Sequence, residues 1–322
     1  MFPFSIDKLR DILYNTSEYV KIHVKINLKE IFKMKKIIAL VLVLSLSAFC
    51  FAACNKNKDK TPEEKTYTLA IAIDSSVDDS NKLSNYVAAI VLDADNKIVA
   101  ARIDCAETTI TIAEGAIANA TVTTKVELGD KYAMNSGSFA KQTKAFEDAI
   151  VGKTADEVKN LDMATVSGCT MPYSPFSFKA VIAKAFASAN KTTFKTADAF
   201  TLGLAADMAV NDGKATTNFG AAVIIGGKIA ATVLDVSERT FSVVENAIVA
   251  GEYNGTKVEL GDKYAMTSGS FAKQTEAFEN AIVGKTADEV KNLDMATVAG
   301  CTMPYTPAAF KSVIAKTFTY AR

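Results

Sequence analysis

Apolar residues follow two spacings along this chain, and the same order of spacings occurs twice. Residues 67–73 (YTLAIAI) alternate with a period of two and are rich in strand formers, which predicts a strand, and the polar residues 74–82 read as a turn. Apolar runs at 86–92 and 97–104 flank Asp93-Ala94-Asp95-Asn96, the pattern of a hairpin. Farther along, runs at 221–225 and 228–235 flank Gly226-Gly227, a pair suited to a two-residue turn with positive φ. The second pair keeps both runs and replaces the turn with a shorter one, as expected of loops and strands. Residues 108–112 and 121–126, mirrored by 240–244 and 256–260, are further strand candidates.

After Gly129-Asp130 the spacing becomes helical. Phe139, Phe146 and Ile150 share one face of a helix that starts at an N-cap Ser138, and Gly152 stands where a C′ glycine ends helices. Thr154-Ala155-Asp156-Glu157 is a capping-box pattern that opens a second, short helix. Ser174-Pro175 reads as an N-cap followed by proline at N1, and Phe178, Val181, Ile182 and Ala185 then follow the i, i+3, i+4, i+7 spacing. The polar stretch 188–196 (SANKTTFKT) reads as a linker.

Residues 126–186 and 258–318 align without a gap and differ at 9 of 61 positions, so what one copy does the other is expected to do. The fold class expected is α+β, with two tandem homologous domains at 67–190 and 197–322. Each is a small, mainly antiparallel sheet followed by helices.

Length and composition agree with that picture: 322 residues, 49% hydrophobic and 22% charged, is an ordinary globular composition for about two domains. Residues 1–53 hold 8 Lys/Arg and 4 Asp/Glu, which leaves 28 against 32 in the remainder, a weak acidity that argues against nucleic acid as a partner. Met34-Lys35-Lys36 precedes the apolar run 37–53, which ends in small residues just before Cys54. Phe51-Ala52-Ala53-Cys54 resembles a bacterial lipobox, and that resemblance implies that Cys54 is lipidated, becomes the first mature residue and anchors the protein to the outer face of the cell membrane. Residues 1–53 are then an upstream extension and signal peptide, and 54–66 a polar tether. An uncleaved spanning helix is the alternative, since the run approaches the ~20 residues that cross a bilayer. The Ala-Ala-Cys ending favours cleavage. Residues 1–33 read as an over-long start, or else as a cytoplasmic amphipathic extension.

The chemistry available is narrow. The sole histidine is His23, upstream of the signal, so no Ser/His/Asp or Cys/His arrangement can form after it, and the commonest nitrogen metal ligand is missing. No catalytic residue and no metal site is expected, and the chain reads as a non-enzyme. No CxxC pair, P-loop or GxGxxG occurs. Cys105, Cys169 and Cys301 read as buried, apolar thiols rather than nucleophiles. Asp156 and Glu157 fall in a first helical turn, where negative charge serves the cap and the dipole.

The stretch with most claim to function is Ser167-Gly168-Cys169-Thr170-Met171-Pro172, repeated as Ala299-Gly300-Cys301-Thr302-Met303-Pro304. A glycine turn there feeds a helix N-terminus, where free amides can hold an anion such as a phosphate. Loop plus cap accounts for the same residues without a ligand. These residues, with 181–185 after them, resemble the Ser-Gly-Ala-Thr-x-Thr/Ser signature and following helix of FMN-binding domains in bacterial membrane electron-transfer proteins. Residues 88–99 are similar to that family's hairpin, and Glu107-Thr108 to the Glu-Thr after it. The ELGDxYxM and VGKT segments also resemble uncharacterised clostridial lipoproteins.

The resemblance implies FMN as cofactor. Ser167, Gly168, Cys169 and Thr170, with Gly300, Cys301 and Thr302, would take the phosphate; Tyr132 or Tyr264 would stack the isoalloxazine; the role implied is extracellular electron transfer. The family's covalent acceptor hydroxyl is replaced by Pro172 and Pro304, so binding would be non-covalent. Ala299 and Arg239 are further departures in the second copy. The alternative is a non-enzymatic envelope protein, structural or partner-binding, that has lost flavin binding and uses two copies for avidity.

Overall fold

The central strands are apolar at nearly every position because both of their faces are covered. In β2 (Lys82–Leu92), Tyr86, Ala88, Ile90 and Leu92 face helices while Val87, Ala89 and Val91 face a second sheet, and all seven are buried. In β1 (Lys65–Val77), Ala70 and Ala72 face the helices, and Leu69, Ile71 and Ile73 the other sheet. Such strands read as continuous apolar runs rather than as alternation.

The computed structural model describes residues 63–170, 174–303 and 306–322. The expected signal peptide, Cys54 and most of the tether lie outside the described residues, as do Met171, Pro172, Tyr173, Pro304, Tyr305 and the side chains behind the expected Ser174-Pro175 cap.

The first repeat contributes β1, β2 and β3 (Ile98–Thr109), a meander, then the short strands β4 (Ile112–Ala113), β5 (Ala116–Ile117) and β6 (Ala120–Val122). Helices α1 (Lys125–Leu128), α2 (Phe139–Ile150), α3 (Ala155–Lys159) and α4 (Ser174–Ala187) follow. Strand β7 (Lys191–Thr196) leads into the second repeat, with β8 (Thr201–Asn211), β9 (Lys214–Ile225), β10 (Lys228–Val244) and β11 (Ala247–Ala250). A two-stranded ribbon, β12 (Ala265–Met266) and β13 (Gly269–Ser270), then precedes α5 (Phe271–Ile282), α6 (Ala287–Lys291) and α7 (Thr306–Tyr320).

The two main sheets are antiparallel, in the orders β3-β2-β1-β7 and β11-β10-β9-β8-β6. They pack face to face through Leu69, Ile71, Val87, Phe194, Leu204, Phe219 and Val223. Helices α2 and α4 cover the outer face of the first sheet, α5 and α7 that of the second, which makes four layers in the order helix, sheet, sheet, helix. Residues 64–322 form one compact unit.

Local signals are met where short-range hydrogen bonds suffice. Gly226 and Gly227 take φ of 56° and 78° in the two-residue turn. Thr154 and Glu157 form the capping box, repeated by Thr286 and Glu289. Phe139, Phe146 and Ile150 on α2, and Phe178, Val181, Ile182 and Ala185 on α4, are all buried. Ser138 holds the N-cap position of α2 without a side-chain cap hydrogen bond. Gly152, with φ of 80°, donates its amide to the Ile98 carbonyl at 2.7 Å, and Gly284 repeats this with Ile229, so the VGKT segment pins each helix end to a strand.

Several expectations are corrected. Residues 74–77 continue β1 instead of turning, because they pair with 83–86 of β2. Of the candidate strands, 121–126 is a strand only to Val122; Thr124 then caps α1 by accepting from the Glu127 amide. Residues 256–260 form turns, with Thr256 alone bridging to Ser237. The expected strand 108–112 divides between the end of β3 and β4. Residues 191–196 are not a linker but β7, in register with β1 from Lys65↔Thr196 to Ala70↔Lys191. Phe194 is buried there against Tyr67 and Phe200, which the polar composition of the stretch conceals.

Candidate functional site

The residues named by the flavin resemblance converge on the first turns of α2 and α5. Tyr132 packs edge-on against Phe139, with centroids 6.1 Å apart, and Thr170 bonds to Gln142, one turn along the same helix. In the second repeat Tyr264 packs on Phe271 and Thr302 bonds to Gln274. Both copies therefore bring the tyrosine and the glycine turn to neighbouring positions. Ser167, Gly168 and Thr170 are exposed, as are Gly300 and Thr302, whereas Cys169 and Cys301 point into the core clusters. Gly168 and Gly300 both have φ of 84°, a left-handed conformation that favours glycine.

The cysteine and threonine donors of these turns are engaged within the protein. The Cys169 amide donates to the Val166 carbonyl at 3.2 Å, and the Cys301 amide to Val298 at 3.3 Å. The amide and hydroxyl of Thr170 both donate to Gln142 Oε1, at 2.8 and 3.3 Å; those of Thr302 both donate to Gln274 Oε1, at 2.8 and 3.0 Å. Each glutamine is 1% exposed, so it closes the turn from the protein side. A phosphate bound through either threonine has to replace that carbonyl oxygen.

The tyrosine rings are also partnered. Lys125 Nζ lies 5.0 Å from the Tyr132 ring centroid and Lys257 Nζ 4.9 Å from that of Tyr264. Each lysine also meets a glutamate: Lys125 pairs with Glu107 at 2.9 Å, where Lys82 joins it, and Lys257 pairs with Glu238 at 3.1 Å, where Lys214 joins it. The glutamate of the Glu-Thr resemblance is thus the anchor of a lysine that covers the tyrosine.

Beneath this cluster each repeat buries an aspartate. Asp104 accepts from the amides of Cys105 and Val126 and from the Thr124 hydroxyl; Asp235 accepts from Val236, Val258, Thr256 and Asn190. Burial pushes both carboxyls up to about 7, against the pull of those hydrogen bonds. Each aspartate ties the segment before the first helical turn to its sheet. Burial likewise pushes the Cys105 thiol up to about 12 and raises Cys301, which suits inert core thiols.

Sequence reading missed Gln142, Lys125, Asp104 and their second-repeat counterparts. A signal for the glutamine was present, since Gln142 falls on the 139, 146, 150 face of an amphipathic helix, where a polar side chain has to find buried partners. Asp104 carried no such signal, because its partners at 124 and 126 are joined to it only by tertiary structure.

Among the described residues no group of three His, Cys, Asp or Glu side chains is placed to hold a metal ion, and no helix is long and apolar enough to cross a membrane. No protein-family model, no curated protein and no solved structure matches this chain.

Proposed function

We propose that this chain is an exported, lipid-anchored, non-enzymatic binding protein in which the flavin-binding-like turns serve as structural closures. The observation that carries this reading is the pairing of Gln142 with Thr170 and of Gln274 with Thr302. In both copies the amide and hydroxyl of the threonine expected to take a phosphate already have a buried acceptor. Lys125 and Lys257 cover the rings expected to stack a flavin. The Met34-Lys35-Lys36 start, apolar run and Ala-Ala-Cys54 ending support export and anchorage.

A second reading, non-covalent FMN for extracellular electron transfer, is favoured by the positive φ of Gly168 and Gly300 and by the convergence of turn and tyrosine on one helix in each copy. It requires each glutamine to release its threonine. Calorimetric titration of the detergent-solubilised protein with FMN and with riboflavin separates the two. The binding-protein reading expects neither to bind at millimolar concentration. Saturable binding of FMN at least tenfold tighter than riboflavin would establish the flavin reading instead.

A further inference from the structure

The two repeats carry the same groove, and among the described residues only in the first does an arginine meet the glutamate that lines it. Glu147 on α2 and Glu279 on α5 are equivalent residues, and each accepts a strand amide, Ile103 N–H at 2.8 Å and Leu234 N–H at 2.6 Å. Each lines a cavity of about 470 Å³ between helix and sheet edge. The bulge residues Val99 and Ala230 line them too, at matching irregularities of β3 and β10.

In the first repeat Glu147 is 1% exposed and meets two guanidinium groups, Arg102 at 3.5 Å and Arg322 at 2.5 Å. Arg322 is held there by its backbone, which pairs with Leu202 at the start of β8. Alignment of the repeats places Asn190 opposite Arg322 and Val233 opposite Arg102. Asn190 is held in the same manner, by donation from the Ile71 amide to its carbonyl. Its side chain is shorter, and it donates to the Leu234 carbonyl and to Asp235 rather than to Glu279. Both guanidinium groups are therefore absent from the second groove, and Leu234 N–H is the hydrogen-bond partner that Glu279 has among the described residues.

A second group in that cavity has no hydrogen-bond partner at all among the described residues. Thr275 is 1% exposed, lines the cavity, and its hydroxyl is buried without a hydrogen bond, whereas the equivalent Thr143 donates to the Ala140 carbonyl at 3.0 Å.

We infer that the groove between α5 and β10 is a binding site for a guanidinium group supplied from outside the chain, which would take on Glu279 the place that Arg322 takes on Glu147. The electrostatics agree. Burial pushes the Glu279 carboxyl up to about 8, and the nearby negative charges of Asp235 on β10 and Glu276 on α5 push in the same direction. Of the basic residues that line the cavity, Lys273 on α5 is drawn to Asp262 at 3.4 Å, and Lys191 projects from β7. A guanidinium docking on Glu279 gives the carboxylate a counter-ion and expels its proton. This inference stands whether or not the glycine turns take a flavin, because it uses none of their residues.

The test is calorimetric titration of the detergent-solubilised protein at pH 7 with L-arginine, with L-citrulline, and with a short peptide carrying one internal arginine or citrulline. Citrulline keeps the shape and removes the charge. Saturable binding of an arginine probe, at least tenfold tighter than its citrulline partner and weakened at least tenfold by Glu279→Gln, is the expected result. Binding of the free amino acid points to a small-molecule source, and binding of the peptide alone to a side chain of a protein partner. Should the variant fail to fold, the wild type decides by itself: heats measured in phosphate and in Tris are expected to differ by the release of most of one proton. Equal binding of arginine and citrulline, no proton release, unchanged affinity in a folded Glu279→Gln protein, or no saturable binding of any probe would overturn the inference.

Discussion

Asn85 donates to the Thr217 hydroxyl at 2.8 Å across the interface between the two sheets. The two residues lie on the faces that otherwise present Val87, Ala89, Phe219 and Ala221, so this is a polar bond inside an apolar contact. Asn85 Oδ1 is buried there without a partner. Removing one member alone, as in Thr217→Val, leaves the asparagine amide without its hydroxyl acceptor and is expected to cost about 1–3 kcal/mol. Replacing both, with Asn85→Leu and Thr217→Val, is expected to be close to neutral or stabilising. Denaturant unfolding of the single and double variants measures this, and losses that simply add in the double variant would show that the two residues are not coupled and contradict the expectation.

The pH dependence of stability should run opposite to that of a protein held by ionised carboxylates. Asp104 and Asp235 titrate at about 7 in the folded chain and Glu279 at about 8, against ordinary values of 3.8 and 4.5. Between those limits the folded state binds more protons than the unfolded state, so their contribution is complete below about pH 4 and is lost as pH rises to about 8. Glu107 and Glu238, desolvated but bound by lysines, are shifted down and contribute in the opposite sense, with loss below about pH 4.5. Maximum stability is expected at about pH 4 to 4.5, with a fall in Tm of several degrees by pH 8. Asp104→Asn and Asp235→Asn should flatten that fall; thermal melts from pH 4.5 to 8.5 that rise with pH would contradict it.

Gly203 lies on β8 where the last turns of α7 cross it. A Cβ at that position would fall inside the van der Waals shell of the Thr317 carbonyl oxygen, which is backbone and cannot swing aside. Gly203→Ala is expected to destabilise by about 1–3 kcal/mol through displacement of α7. The control is Gly226→Ala in the exposed turn, where no atom lies within 4 Å of the added Cβ and the positive φ is the main penalty. Comparable losses from both substitutions would argue against the close approach.

The connection between the repeats should resist proteases. Reading residues 188–196 as a linker predicts early cleavage there, but β7 is hydrogen-bonded to β1 and buries Phe194. Cleavage is expected sooner at Glu245-Asn246, the exposed tip of the β10–β11 hairpin, where both residues have positive φ. Mass spectrometry of early fragments from limited proteolysis tells the two sites apart.

Gln142→Ala and Gln274→Ala test the closures directly. Each frees a threonine amide and hydroxyl and removes a buried side chain, with an expected loss of about 1–3 kcal/mol. If these turns retain any capacity for a phosphate, FMN binding should appear or strengthen in the variants relative to wild type. Unchanged titrations in folded variants would mean that the closure is structural alone.

The amino-acid sequence determined the features that are settled within a few residues. The Thr154–Glu157 capping box, the Gly226-Gly227 turn and the buried stripe of Phe139, Phe146 and Ile150 each depend on neighbours within one or three turns. The duplication was legible for the same reason, since identical local signals recur at matching positions. Tertiary structure decided what the second face of each strand meets. Val87, Ala89 and Val91 announce burial, yet nothing near them in sequence names Leu204 or Phe219 as the surface that buries them. The same holds for β6 of the first repeat, which pairs with β8 of the second, and for residues 191–196, whose polar alternation becomes a strand because β1 offers an open edge. The functional residues divide likewise. The glycine turns were visible as motifs, but their closure by Gln142 and Gln274, and the unequal fates of Glu147 and Glu279, depend on side chains tens of residues away in sequence. Only burial brings those together and shifts their charge.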